Sequence, residues 1–87
     1  MLNDIKMMQG INNNDFDNII NSYIEAAKKD LETIGIVKSK IVETDKLIYS
    51  AIVSYVKSFL DVDNSELFSN AYSLQKDALR HITEYIT

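Results

Sequence analysis

The side chains able to do chemistry are few, and none stands in a catalytic arrangement. The single histidine, His81, has no partner at a fixed spacing that makes it a base or a metal ligand. It sits beside Arg80 near the end of the last helical segment, where a helix dipole favours a cation, and it is read as that. Ser22, Ser39, Ser50, Ser54, Ser58, Ser65, Ser69 and Ser73 lack the glycine elbow that activates a nucleophile. No glycine-rich phosphate loop is present. The oxygen-rich runs Asn12–Asp17 and Asp61–Asn64 resemble fragments of a calcium loop. Such a loop needs alternating oxygen ligands, a central glycine and a closing bidentate glutamate. Phe16 interrupts the first run and no glycine completes it, so both are read as helix caps. The chain has no cysteine, which removes disulfides and thiolate metal sites and suits a reducing cytoplasm. The expectation is a chain that is not an enzyme and holds no cofactor and no metal.

The elements that carry these residues follow from spacing. The chain has 87 residues, no proline and two glycines, a composition that suits long helices better than turn-rich β structure. We expect one all-α domain over residues 1–87, a small bundle of about four helices. A short first helix (3–9) carries Leu2, Ile5 and Met8 and stops at Gly10. A long second helix (14–34) is capped by Asn13 or Asn14 and has Asp15 and Asp17 in its first turn. Its stripe is Phe16, Ile19, Ile20, Tyr23, Ile24, Ala27, Leu31 and Ile34, ending at Gly35. A third helix (45–59) starts near Thr44 or Asp45. Its wide stripe of Leu47, Ile48, Ala51, Ile52, Tyr55, Val56 and Phe59 makes it the central one. A fourth (64–82) opens on a capping box of Asp63 with Glu66 and carries Leu67, Phe68, Ala71, Tyr72, Gln75, Ala78, Leu79 and Ile82. The two later helices run antiparallel. The loop 36–43 mixes β-branched residues with charge and has possible extended character. The tail 83–87 holds Tyr85 and Ile86 with no helix left to use them.

Charge and length narrow the function class. The net charge of −4 argues against broad attachment to nucleic acid or anionic lipid. No apolar run is long enough to span a membrane, and MLNDIKMMQG lacks the basic start and apolar stretch of a signal peptide. So short a chain buries a modest core and is often completed by a partner. Of the five tyrosines, Tyr23, Tyr55 and Tyr72 lie on apolar stripes and are read as core. Tyr49 and Tyr85 lie off them and are candidates for contact with another chain.

The ordered segments resemble a known family. A short helix ends at Gly10-Ile11, followed by Asn14-Asp15-Phe16-Asp17-Asn18-Ile19-Ile20 and Tyr23-Ile24-Glu25-Ala26-Ala27-Lys28-Lys29-Asp30-Leu31, closing at Gly35-Ile36. Asp45-Lys46-Leu47-Ile48 then leads into Ala51-Ile52-Val53-Ser54-Tyr55-Val56-Lys57, and Asn64-Ser65-Glu66-Leu67-Phe68-Ser69-Asn70-Ala71-Tyr72 follows. This resembles the head–tail connector proteins of tailed bacteriophages, also called DNA-packaging or head-completion proteins, over about Leu2 to Leu79.

The resemblance implies a structural subunit of the virion, made in the bacterial host cytoplasm. It assembles with itself into a ring, around twelvefold, under the portal protein. It carries the next head-completion or tail protein, and DNA passes through its channel without specific binding. It implies no catalytic residues and no membrane. A ring needs two different patches on each subunit. The candidates are Leu2, Ile5 and Met8 of the first helix, the outward side of the second helix, and Ile36, Val37 and Ile41 of the loop. Tyr49 joins them, and Tyr85 and Ile86 of the tail are candidates for docking on the portal. Two other readings stand beside it: a small helical interaction module, and a helix-turn-helix DNA regulator of a phage or prophage. Against the regulator stand the net charge and a third helix too apolar for a groove.

Overall fold

A computed structural model describes residues 1–86; the last tail position, Thr87, lies outside the described residues. Five helices follow in order: α1 Leu2–Met8, α2 Asp17–Thr33, α3 Lys46–Leu60, α4 Ser65–Arg80 and α5 Thr83–Ile86. Single 3-10 turns at Lys38–Lys40 and Val62–Asn64 lie between them, and no strand occurs among the described residues. The all-α bundle expected from the stripes is the observed fold.

Helix α3 is central because its stripe is widest. Ile48, Ala51, Ile52 and Val56 are all fully buried. Ile20, Ile24, Ala27 and Leu31 meet them from α2, Ile5 from α1, and Tyr72 and Leu79 from α4. Each fully buried isoleucine contributes on the order of 2 kcal/mol from area removed from water. The neighbours of α3 run antiparallel to it. Tyr23 near the start of α2 stacks on Phe59 at the end of α3. At the α3–α4 corner the Ser65 hydroxyl donates to the Ser58 carbonyl at 2.7 Å.

Both glycines end helices by the same device. Gly10 and Gly35 have φ of +68° and +102°. The Gly10 N–H donates to the Met7 carbonyl and the Ile11 N–H to the Lys6 carbonyl; the Gly35 N–H donates to Glu32 and the Ile36 N–H to Leu31. Each pair satisfies two carbonyls that a helix end otherwise leaves open.

Three expectations need correction. Neither Asn13 nor Asn14 caps α2: the helix begins at Asp17 with Phe16 before it and no side-chain cap. Asn13 accepts instead from the Asp15 N–H, and Asn14 from the Lys6 ammonium. The capping box of Asp63 and Glu66 does not form, because a 3-10 turn occupies 62–64 and α4 starts at Ser65 without a side-chain cap. The loop 36–43 is as expected a loop with a short extended piece, at Val37, before it turns through Lys38–Lys40. The tail does have a helix, the short turn α5, and it buries Tyr85.

Candidate functional site

The start of α3 is the meeting point of the chain's loose pieces. Asp45 caps α3, its Oδ1 accepting from the Leu47 N–H at 2.9 Å and the Ile48 N–H at 3.2 Å. Its other oxygen accepts from the Tyr85 hydroxyl at 2.6 Å. The Tyr85 carbonyl in turn accepts from the Val37 N–H at 2.6 Å. One tyrosine of the tail thus fastens both the loop and the third helix. The Tyr85 hydroxyl bond, with the two backbone N–H bonds of the cap, outweighs burial and holds the Asp45 carboxyl below its ordinary value, while that bond and burial push the Tyr85 hydroxyl up to about 12. The N-terminus arrives at the same end. The Met1 ammonium lies 3.3 Å from Glu43, which also reaches Lys28. Burial opposes the Glu43 charge, yet those two cations outweigh it and lower its pKa. The Tyr49 hydroxyl donates to Asp4 at 2.8 Å; burial first, then that carboxylate, raises its pKa.

The residues singled out in the sequence therefore fall into two groups. Ile5, Ile36 and Tyr85 are buried inside the chain itself. Ile36 and Tyr85 are not surplus to the core, because the loop and tail fold back over the bundle to cover them. Leu2, Val37, Ile41 and Tyr49 are half-buried, and Met8 and Ile86 are exposed. Val37, Tyr49 and Tyr85 gather around the start of α3; Met8 stands apart at the far end of α1.

Around the start of α3, Val42, Leu47 and Ile86 are about half exposed, and a larger group of exposed apolar side chains lies at the opposite end. Phe16, Ile19 and Phe59 are about half exposed, Leu67 is 61% exposed and Val62 82%. Phe16, Ile19 and Tyr23 follow at steps of three and four, so they share one side of the start of α2. Tyr23 stacks on Phe59 at 4.8 Å, Tyr55 tilts against Phe59 at 5.1 Å, and Tyr72 meets Tyr55 edge-on at 5.1 Å. This aromatic ladder joins α2, α3 and α4. Asp30 ties α2 to α4 as well, accepting from the Tyr72 hydroxyl at 2.6 Å and lying 3.4 Å from Lys76. Asp15, Asp61, Asp63 and Glu66 stand around this end.

Periodicity assigned Phe16, Ile19, Phe59 and Leu67 to the core, and it missed Val62, Met7 and Leu74. The signal that separates them is position. They sit on outermost turns or on the far edge of a stripe, where no neighbouring element reaches. Along α4, Leu67, Leu74 and Ala78 recur at steps of seven and four, forming an exposed strip beside the buried face. A small groove of about 90 Å³ between α3 and α4 continues it, lined by Leu47, Ser50, Gln75, Ala78, Leu79 and Ile82. A charged hollow of about 320 Å³ lies over α2 and the loop, among Glu25, Lys28, Lys29, Glu32, Lys38 and Ile41. Its three lysines and two glutamates sit side by side, so most of the charge cancels.

Among the described residues no group of His, Cys, Asp and Glu is placed to hold a metal ion, and no helix is long and apolar enough to cross a membrane. What the arrangement offers is surface.

The family model described as phage connector protein matches residues 1–85. That is nearly the whole chain, and the chain belongs to this family. No curated protein and no solved structure matches it.

Proposed function

We propose that this chain, a structural head–tail connector of a bacteriophage by family, works as one subunit of a ring that docks under the portal and extends the DNA channel. The observation that carries the reading is the family match over 1–85, and the exposed apolar surface supports it. Eleven large apolar side chains are exposed among the described residues, many for a domain this small, and grouped patches of that kind mark association surfaces.

The shape supports side-by-side packing. The molecule measures 40 × 24 × 19 Å. Copies packed across a short dimension enclose a far narrower channel than copies laid end to end. The long sides then meet in a heterologous contact. The α4 strip of Leu67, Leu74 and Ala78 serves as one patch, and α1 with Leu2, Met7 and Met8 as the other. Methionine adapts to the shape of an apolar partner. The two ends of the bundle are left for other components, with Ile41, Tyr49 and Ile86 at one and Phe16, Phe59 and Val62 at the other. The net charge of −4 suits a channel wall past which DNA slides, since Lys and Arg contacts to phosphate drive non-specific binding.

Native mass spectrometry over a concentration series, alone and with the portal protein of the same phage, tests this. Closed rings or a portal complex are expected. A chain monomeric at every concentration that never joins a portal overturns the proposal. Salt-sensitive affinity for duplex DNA overturns the non-adhesive channel wall and favours the regulator reading.

A further inference from the structure

We propose that the C-terminal turn α5 is a strap that opens and closes on the folded bundle, with Asp45 as its catch. The strap is small, from Thr83 to Ile86, and it follows directly on the end of α4 at His81. Tyr85 fastens it to the loop and to the third helix. The hydroxyl reaches Asp45, the carbonyl receives the Val37 N–H, and the side chain is 8% exposed. A four-residue helix has no stability of its own, because nucleation costs more than one turn returns. It is formed only while docked. The core of α2 and α3, by contrast, is built on Ile20, Leu31, Ile48 and Ile52, which belong to long helices and are fully buried, with Tyr85 added at its edge.

The catch is built so that the strap and the third helix sense one another. Asp45 uses one oxygen on the helix cap and the other on Tyr85. Tyr85 orients the carboxylate for capping, and the capped carboxylate presents a fixed acceptor to Tyr85. When the strap lifts, the Val37 N–H and the second Asp45 oxygen become free together, one donor and one acceptor beside the buried Ile36. That pair is what an incoming chain segment needs to bind this end. While the strap is down, the chain's own tail occupies it. The opening is a property of the single chain and does not rest on ring assembly.

Amide hydrogen exchange on the full chain tests the proposal. The Val37 amide is the direct reporter, since its carbonyl partner is on Tyr85; Ile52 reports the core. Val37 is expected to exchange through a local opening, faster than Ile52 and with little response to low urea, because little surface is exposed. Tyr85→Phe, which keeps the ring, is expected to raise the Val37 rate about tenfold, the loss of one charge-assisted hydrogen bond. Asp45→Ala does not touch Val37, yet it is expected to raise the same rate. The double variant should go no further than the stronger single one, which marks one shared contact. The proposal is overturned if Val37 and Ile52 exchange at one rate with one urea slope. It is equally overturned if Asp45→Ala leaves Val37 unchanged.

Discussion

The two ends of this bundle are built on opposite principles. At the end where α3 begins, the loop, the N-terminus and the C-terminal turn close on one another through Asp45, Tyr85, Val37, Glu43 and Met1. Ile36 and Tyr85 are buried there. At the other end three helices stop or start with aromatic rings stacked between them, and Phe16, Ile19, Phe59 and Val62 stay in water. The first end is fastened within one chain, though Val42, Leu47 and Ile86 remain about half exposed there. The second leaves apolar surface that a partner can cover. The lesson is that an irregular segment does not by that alone leave its apolar residues in surplus: Ile36 and Tyr85 are buried, although Val42, Val62 and Ile86 are exposed. A loop or tail can fold back and use them, whereas a regular helix runs out of neighbours at its last turn.

This contrast can be broken by mutation. Tyr85→Ala removes a buried ring and its anchor and is expected to cost about 3 kcal/mol in urea unfolding. Phe59→Ala, half exposed and stacked on one side, is expected to cost about 1 kcal/mol. Equal costs would erase the distinction between a closed and an open end.

A second pair of substitutions compares acids. Asp45→Ala loses both a helix cap and the Tyr85 bond, about 2 kcal/mol in the same measurement. Asp63→Ala, which caps nothing, should stay within about 0.5 kcal/mol.

The closed end also carries part of the pH dependence, beside the Tyr72 hydroxyl, which burial and its bond to Asp30 push well above the ordinary tyrosine value. Asp45 and Glu43 have lowered pKa values in the folded chain. Their stabilisation is present above the ordinary carboxylate range and fades as pH falls below about 4. Tyr85, raised to about 12, works in the other direction. Its contribution is whole below about pH 10, where an unfolded tyrosine begins to ionise, and is lost as pH climbs through the folded value. Thermal melts from pH 3 to 12 should show both losses, and Tyr85→Phe should reduce the alkaline one.

The smallest effect on stability is expected at the open end. Val62→Asp should change unfolding by no more than about 0.5 kcal/mol. If this end is a contact surface, the same variant should still weaken association with its partners in sedimentation. An unchanged assembly would move the contact to the long sides alone.

Much of this fold is legible in the residues. The stripe Ile48, Ala51, Ile52 and Val56 names the central helix, and Gly10 and Gly35 mark two helix ends. Asp45 as a cap is readable from its place before an apolar stripe. Other features are not legible, for physical reasons. The Asn12–Asn14 run offers several caps of similar strength, and the lysine of α1 draws Asn14 and Asp17 away from that task. The bond from Tyr85 to Asp45 spans 40 residues, and no local pattern encodes a pairing of that range. Periodicity shows that Phe16, Ile19 and Phe59 belong to apolar stripes, but not whether another element extends far enough to cover them. Of the candidate contact residues, Met8 and Ile86 are exposed, while Ile5, Ile36 and Tyr85 serve the core.

The paired glycine stops have a consequence for handedness. A Cβ built on Gly10 or Gly35 meets nothing within 4 Å, so space is not what keeps side chains out of these positions. Backbone chirality is. An L-residue there carries a penalty of about 1 kcal/mol for its left-handed φ, whereas a D-residue is at home in it. In a chemically synthesised chain, D-alanine at both positions should fold as the glycine chain does and unfold less readily, since the unfolded backbone has fewer states to occupy. L-alanine at the same two positions should do the reverse, and the mirror-image pair isolates the geometry of the stops from every other property of the side chain.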